Sequence, residues 1–171
     1  CTLNHILSYE KMVANNNRYA IIFENDPFFI GNFVEKIAKI AAEANTLPEG
    51  FIISLEDTSL RFPSYKKIRK GKFLYEATSG RCAGAYMIDL QGAKNILSDL
   101  KTNKCEEVID WWHNTLIKRN IIKMYWAYPA LTEQGSHNGL LNSTISSKSK
   151  STKRRIQWLA QKYYKTYITK W

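Results

Sequence analysis

Residues 18–26 read RYAIIFEND, a short apolar run that ends in acidic residues. Such a run is typical of a buried strand whose carboxyl end reaches the protein surface. Residues 51–57, FIISLED, repeat the pattern. Between the two runs lies a stretch of helical periodicity, residues 29–44, with Pro27 in its expected first turn. This order predicts an α/β layered domain with a mainly parallel sheet flanked by helices.

The rest of the chain continues the alternation of helices and strands. Helical patterns are present at residues 3–15, 91–101, 106–119 and 153–171, and short strand patterns at residues 73–77, 84–88 and 124–129. We therefore expect three regions: an α/β domain over residues 1–137, a polar linker over 138–152 and a basic amphipathic helix over 153–171. The length of 171 residues favours one domain rather than two.

The composition excludes several classes of protein. Apolar residues make up 44% of the chain, enough for a folded core, and the longest apolar runs are far shorter than a membrane-spanning helix. Three widely spaced cysteines without a CxxC pair argue against a disulfide scaffold and against a zinc ribbon.

The net charge of +10 is concentrated at one end of the chain. Glu133 is the last acidic residue, and eight basic residues follow it: Lys148, Lys150, Lys153, Arg154, Arg155, Lys162, Lys165 and Lys170. A nearly neutral body with a basic tail differs from a uniformly basic nucleic-acid binder. We therefore expect no nucleic-acid partner, although a nucleic-acid-binding domain that uses this tail is the alternative from another class of function.

Four parts of the sequence resemble the motifs of glycosyltransferase family 25. CTLNH at residues 1–5 resembles the Gly-Cys-x-Leu-Ser-His helix start, and YAIIFENDPFF at 19–29 resembles a strand ending Leu-Glu-Asp-Asp. TSGRCAGAYMIDLQGAKNIL at 78–97 resembles the Thr-x-Gly to Gly-Ala-x-x-Leu block. EEVIDWWHNTL at 106–116 and YPALTEQGS at 128–136 resemble the Pro-x-Asp helix and the Tyr-Pro-x-Leu-x-x-Gln segment. Asn4 and Asn25 depart from the family pattern, which leaves a catalytically impaired member or fragment as an alternative.

The resemblance implies a GT-A-like nucleotide-sugar transferase fold and an inverting transfer from a UDP-sugar. It implies galactose as the sugar and a lipooligosaccharide or lipopolysaccharide as the acceptor, on the cytoplasmic face of a bacterial inner membrane. Family members carry a segment before the first helix that supplies a strand and part of the nucleotide pocket. We therefore expect the family domain to be N-terminally truncated in this sequence.

Glu24 and Asp26 are candidate metal ligands. Alternate residues at a strand end place two carboxylates on the same side, and ligands of α/β sheets bind beyond such ends. Mn²⁺ or Mg²⁺ held there would neutralise the departing diphosphate, with His137 as a possible third ligand. The alternative for Asp26 is capping of the helix at Pro27. Glu56 and Asp57 form a second acidic pair, of which at most one could join the metal.

Asp110 is the candidate general base, because it matches the acid of the Pro-x-Asp segment and an inverting transfer must remove a proton from the acceptor hydroxyl. Trp111 or Trp112 is the candidate acceptor platform, since tryptophan stacks on pyranose rings. The alternative is a helix whose first-turn acids complement its dipole, with both tryptophans in the core.

Four further residues are candidates for binding the donor and its phosphates: Thr78, Arg81, Gln134 and His5. Thr78 and Arg81 belong to a polar loop, Gln134 to a loop that follows a strand, and His5 to the first helix. The alternatives are a solvated arginine and a core histidine.

The basic helix over residues 153–171 predicts binding to an anionic membrane surface. Ile156, Ala160, Tyr163, Tyr167 and Trp171 form an apolar stripe among lysines and arginines, as an interfacial helix requires. The alternative is that this helix packs on its own domain or on a second subunit.

Overall fold

The computed structural model of the chain describes residues 2–142 and 149–168. Cys1, residues 143–148 of the predicted linker and residues 169–171, with Lys170 and Trp171 of the predicted tail, lie outside the described residues. The strands are β1 Tyr19–Phe23, β2 Pro27–Phe29, β3 Phe51–Ser54, β4 Leu74–Ala77, β5 Ala85–Asp89, β6 Lys123–Ala127 and β7 Thr132–Gln134. The α-helices are α1 Thr2–Ala14, α2 Phe33–Ala44, α3 Leu90–Leu100, α4 Ile109–Lys118, α5 Gly135–Asn138 and α6 Thr152–Tyr163. A short 3₁₀ turn spans Tyr65–Lys67, and a π-helical turn over Tyr164–Ile168 continues α6.

The main sheet has five strands in the order β1-β5-β3-β6-β4. This α/β layering confirms the predicted class, but the sheet is mixed rather than mainly parallel. Only β3 and β6 pair in parallel, and the other three pairings are antiparallel. The physical reason is the position of β5, which lies antiparallel between β1 and β3, and of β4, which lies antiparallel on the outer side of β6. As a result β1, β3 and β6 run in one direction, and β4 and β5 run in the other.

Apolar residues on the two faces of the sheet form two cores. One core packs α1, α3 and α4 on the sheet, through buried residues such as Tyr9, Ile96 and Trp112. The other packs α2 on the opposite face, around Ile40 and Leu55. Strand β3 is buried along its whole length because it lies at the centre of the sheet between the two cores.

The segment after Pro27 is a strand and not the first turn of a helix, which corrects the prediction for this region. Residues 27–29 form β2, which pairs with β7 in a separate two-stranded sheet. Proline fits such an edge strand because it has no N–H to donate. Helix α2 begins later, where the Asn32 side chain accepts a hydrogen bond from the Glu35 amide at 3.1 Å.

Asp89 fastens the start of α3 to the sheet. Its carboxylate accepts from the Gly92 amide at 2.9 Å, which caps the helix, and from the amides of Gly50 and Phe51, each at 2.8 Å.

Within the described ranges, no helix combines the length and the apolar character that a bilayer crossing requires.

Candidate active site

Polar side chains meet where β1 and β3 end and β5 begins, which we call the carboxyl edge. The three strand ends come together because β5 runs antiparallel between β1 and β3. The Glu24 amide donates to the Gly84 carbonyl at 2.9 Å, which ties the end of β1 to the start of β5. The predicted placement of acidic residues at the ends of β1 and β3 thus brings Glu24 and Glu56 to one edge.

Glu56 is fully buried at this edge. One of its carboxylate oxygens accepts from the amides of Gly84 at 2.7 Å and Ala85 at 3.2 Å. Burial raises the pKa of Glu56, because the charged form loses its hydration. Glu56 therefore orders the segment that leads into β5.

Gln134 lies against Gly84, which has no side chain to separate the two. A Cβ built on Gly84 would be 1.9 Å from the Gln134 amide nitrogen. The close approach lets Gln134 Nε2 donate to a carboxylate oxygen of Glu24 at 3.3 Å. The structure thus brings together two of the predicted site residues, Glu24 and Gln134, from segments 110 positions apart.

Arg81 is buried beside the same edge. Its guanidinium donates to the carbonyls of Ser54 at 2.6 Å and Ala127 at 3.2 Å, so it connects the ends of β3 and β6. Burial lowers the pKa of Arg81 to about 10, while Asp57 and Glu56 act to raise it, and the group remains a cation at neutral pH. Among the described residues no partner accepts from Nη1 of Arg81. A buried cation with a remaining donor is suited to an anionic ligand.

Asp110 lies near the carboxyl edge, in the first turn of α4. Asn114 holds this turn to the loop before β5: its side chain accepts from the Gly80 amide at 2.8 Å and donates to the Asp110 carbonyl at 2.9 Å. Burial, together with the carboxylates of Glu56, Asp110 and Glu24, raises the pKa of the Cys82 thiol to about 12. These three carboxylates therefore act electrostatically on Cys82, in the loop before β5.

His5 belongs to a buried chain of polar side chains behind Glu24. Its Nδ1 lies 2.7 Å from the Tyr86 hydroxyl, which lies 2.5 Å from the Tyr9 hydroxyl, and Tyr9 in turn lies 2.9 Å from His113 Nε2. On the other side of the ring, Nε2 of His5 lies 3.8 Å from Glu24. His5 is thus both a core residue and a neighbour of the edge.

Asp26 holds the loop that carries Gln134. Its carboxylate accepts from the Ser136 amide at 2.9 Å, and its carbonyl accepts from the Gly135 amide at the same distance. Asp26 therefore caps α5, and not a helix at Pro27. His137, on the same short helix, is exposed.

The described residues contain no group of three or more His, Cys, Asp or Glu side chains arranged to hold one metal ion. Mg²⁺ in nucleotide-dependent enzymes is commonly held by one or two carboxylates together with substrate phosphates. The oxygen ligands of Glu24 and Asp26 fit that mode of binding, and metal binding through them stays a prediction.

Helix α6 covers two further carboxylates next to the edge. Lys162 Nζ lies 2.7 Å from Asp57 and 2.6 Å from Glu133, and Arg155 lies 2.9 Å from Glu133. Trp158 lies between the two cations in the sequence. Arg155 lies 5.2 Å and Lys162 lies 4.9 Å from the centre of the Trp158 ring. The described part of the predicted tail therefore packs on the domain, as the alternative interpretation of this helix expected.

The cations of α6 act differently on the two carboxylates. Burial by itself raises the pKa of Glu133, but hydrogen bonds from Lys162 and Arg155 bring it below its ordinary value. The pKa of Asp57 is raised by burial, which Lys162 offsets only in part. Helix α6 thus compensates the charge that the fold buries beside the site.

The remaining predicted residues, two tryptophans and a threonine, differ in exposure. Trp112 is buried in the core, so Trp111, which is 66% exposed, is the one of the pair that remains a candidate platform. Thr78 is exposed and follows β4, whose last residue pairs with Met124 near the opposite end of β6.

Sequence reasoning did not assign roles to Gly84 and Lys162. No local pattern marks either residue, because each acts through a partner that is distant in the sequence. Strand β7 and helix α5 were also missed, since three and four residues are too short to show a period.

Comparisons with known proteins agree on one family. The model of the family described as "Glycosyltransferase family 25 (LPS biosynthesis protein)" matches residues 1–111. A protein of Aedes aegypti described as "Glycosyltransferase 25 family member" is 25% identical over 163 residues, which cover 86% of this chain and 26% of the relative. The chain thus spans about a quarter of the length of the curated relative that it matches.

Proposed function

The chain belongs to glycosyltransferase family 25, and from this premise we propose that it transfers galactose from a UDP-sugar to a lipooligosaccharide or lipopolysaccharide acceptor with inversion at the anomeric carbon. The observation that carries this proposal is the carboxyl edge, where Glu24 and Glu56 both bind the backbone of Gly84. Asn114 connects Asp110 to the loop before β5, and the buried cation Arg81 binds the end of β3. Such a site provides both a base and an anion-binding group.

Asp110 is the proposed general base. Its carboxylate takes the proton of the acceptor hydroxyl as the hydroxyl oxygen forms a bond to the anomeric carbon. The bond from that carbon to the diphosphate breaks, and its electron pair leaves with the phosphate oxygen. Glu56 is a weaker candidate for this role, because it is fully buried and one of its oxygens already accepts from the amides of Gly84 and Ala85.

Arg81 and Gln134 are the proposed donor-binding groups. The unpartnered Nη1 of Arg81 supplies a positive charge to the diphosphate as its negative charge grows. Gln134 positions Glu24 at the edge through its amide. His5 supports Glu24 from the core side. Thr78, in the loop after β4, is a further proposed phosphate contact.

Mn²⁺ or Mg²⁺ is the proposed cofactor, and Glu24 and Asp26 would hold it. Bound there, the ion would neutralise charge on the leaving diphosphate. In the parent protein, we expect the melting temperature to rise only when both UDP and the metal are present. Loss of this rise in Asp26→Asn supports the assignment. An equal rise of the melting temperature in the variant contradicts the assignment. Asparagine is chosen because it retains an oxygen that can cap α5.

We also propose that the outer face of α6 binds anionic lipid, which places the enzyme on the cytoplasmic face of the inner membrane. Arg155, Trp158 and Lys162 occupy one face of the helix and dock on the domain. Ile156, Tyr163 and Tyr167 are exposed on the other face. Docking of the helix on the domain is therefore compatible with its contact with a membrane.

Trp111 on α4 is the proposed acceptor platform, since its side chain is exposed.

The Asp110→Asn variant tests the proposed function. We expect it to lower kcat by about 10² or more while UDP affinity is unchanged, since the base acts on the acceptor and not on the donor. UDP release from UDP-galactose with lipooligosaccharide measures turnover, and calorimetry measures UDP binding. Glu107→Gln is the matched control, because it removes an exposed acid just before the same helix.

Two results would contradict the assignment. Equal losses of UDP affinity and kcat in Asp110→Asn point to a structural role at the start of α4. The absence of any UDP release by the parent protein points to a catalytically impaired member of the family.

A further inference from the structure

A cleft lies beyond the carboxyl edge, on the side of β6. Its volume is about 320 Å³, which is within the range of small-ligand sites. Three separate segments form it: the loop at residues 60–68, the end of β6, and the π-helical turn that follows α6. The side chains that matter for the argument are Arg61, Phe62, Tyr65, Trp126, Tyr128 and Lys165. We call this the aromatic–cationic cleft.

The aromatic rings of the cleft are held in place by the fold. The Trp126 indole donates to the Ser79 carbonyl at 2.8 Å, and the Arg81 guanidinium lies 5.6 Å from the centre of its ring. Phe62 and Tyr128 pack edge to face, with ring centres 6.4 Å apart. Rings fixed in this way present apolar faces on which a pyranose can stack without a further loss of side-chain freedom.

The charges of the cleft all have the same sign. Arg61 and Lys165 line it, and no Asp or Glu does. Arg61 donates to the Ser79 hydroxyl at 3.4 Å, and within residues 2–142 and 149–168 neither cation forms an ion pair. This contrasts with Lys162, three residues before Lys165, which is bound to two carboxylates. The cleft is therefore complementary to an anionic group on a ring.

We propose that the aromatic–cationic cleft binds an acidic sugar unit of the acceptor, a pyranose that carries a carboxylate or a phosphate. Assigning the sugar to the acceptor rests on the proposed function, whereas the binding of an anionic sugar does not. Lys165 belongs to the same turn as Tyr167, a residue of the exposed stripe. A sugar attached to a lipid in the proposed membrane would reach this cleft from the side of α6.

Direct binding tests the proposal without reference to catalysis. Calorimetric titrations of the full chain would use glucuronic acid, glucose 6-phosphate, glucose and inorganic phosphate. We expect both acidic sugars to bind about tenfold or more tightly than glucose, as one charge-assisted hydrogen bond implies. Lys165→Gln should remove most of that difference, and Tyr65→Ala should weaken acidic and neutral sugars alike.

Matched variants separate the cleft from general surface effects. Lys153→Gln removes an exposed lysine of α6 outside the cleft, and Tyr163→Ala removes a tyrosine as exposed as Tyr65. We expect neither variant to change sugar binding.

Four results would overturn the proposal. If glucose and the acidic sugars bind with equal affinity, the cleft does not require an anionic group on its ligand. If phosphate binds as tightly as glucose 6-phosphate, the cleft does not require a sugar ring. UDP that competes with the acidic sugar assigns the cleft to the donor. No detectable binding of either acidic sugar refutes the site while leaving UDP release, and hence the proposed function, unaffected.

Discussion

At the scale of one residue, the missing side chain of Gly84 allows Gln134 to reach Glu24. In Gly84→Ala the new methyl group would overlap the amide and the chain carbons of Gln134, so that this side chain must leave its place. We expect a loss of about 1–3 kcal/mol in the free energy of unfolding, as for other overpacked sites. We also expect weaker UDP binding, because Gln134 no longer holds Glu24.

Denaturant unfolding and UDP titration would measure the two effects of Gly84→Ala. Gly80→Ala is the matched control, because its nearest neighbour would lie 3.5 Å away and the methyl group has room. A Gly84→Ala protein with the stability and UDP affinity of the control would show that the Gln134 contact is unimportant.

His113, one of the buried polar side chains behind Glu24, makes the free energy of unfolding depend on pH. Burial lowers its pKa to about 3 from an ordinary value of 6.5. The unfolded chain therefore binds a proton below pH 6.5 that the folded protein does not, and the stability present above pH 6.5 is lost as the pH falls toward 3. The loss from this residue is about 1.4 kcal/mol for each pH unit below 6.5.

Between pH 7 and pH 5, we expect the free energy of unfolding of His113→Gln to fall by about 2 kcal/mol less than that of the parent protein. Glutamine keeps a polar group for Tyr9 but does not titrate, so the two proteins differ mainly in this proton. Urea unfolding at the two pH values measures the difference. Parallel pH profiles for both proteins would show that His113 is protonated in the folded state or does not control the slope.

At the scale of elements, the sequence predicts β1, β3 and most of α2, because each has a continuous apolar run or a helical period. It fails at residues 27–29, where the local preference of Pro27 for a helix start is overruled by pairing with β7. The same limit applies to the site. The acids at strand ends are visible in the sequence, whereas the contact of α6 with Asp57 and Glu133 depends on packing between distant segments.

Lys162 is one of the residues that attach helix α6 to the domain. Lys162→Met leaves Asp57 without its cation and removes one of two cations from Glu133. Loss of one partner of a fully buried pair costs about 3–5 kcal/mol, and the 23% exposure of the Lys162 side chain reduces our expectation to about 2 kcal/mol. Thermal or denaturant unfolding measures this loss.

Lys153→Met is the control for α6, because Lys153 is exposed on the same helix, and we expect a change within about 0.5 kcal/mol. If the two variants are equally stable, the ion pairs of Lys162 do not hold the helix.

At the scale of the whole molecule, the proposed membrane face can be tested without removing α6. Deleting this helix would uncover Asp57 and Glu133, so substitutions on its outer face are the better experiment. We expect Tyr163→Ser with Tyr167→Ser to reduce co-sedimentation with anionic vesicles severalfold, because aromatic side chains anchor an interfacial helix. Tyr65→Ser, an exposed tyrosine outside the helix, is the control.

Vesicle composition and salt supply the second part of the membrane test. Binding should fall with fewer anionic lipids and with higher salt, since each basic residue near the surface contributes about 1 kcal/mol. Binding that is indifferent to both conditions, or unchanged by the paired substitutions, would contradict a membrane role for α6.

The ion pairs of α6 also bear on how the protein is made. Asp57 and Glu133 are synthesised before Lys162, and about a hundred residues separate Asp57 from that lysine. At roughly 5–20 residues per second, the ribosome needs on the order of 5–20 s to add them. Throughout that time the nascent domain holds Asp57 without the lysine that pairs with it. The ion pairs beside the carboxyl edge can therefore form only after α6 has left the ribosome.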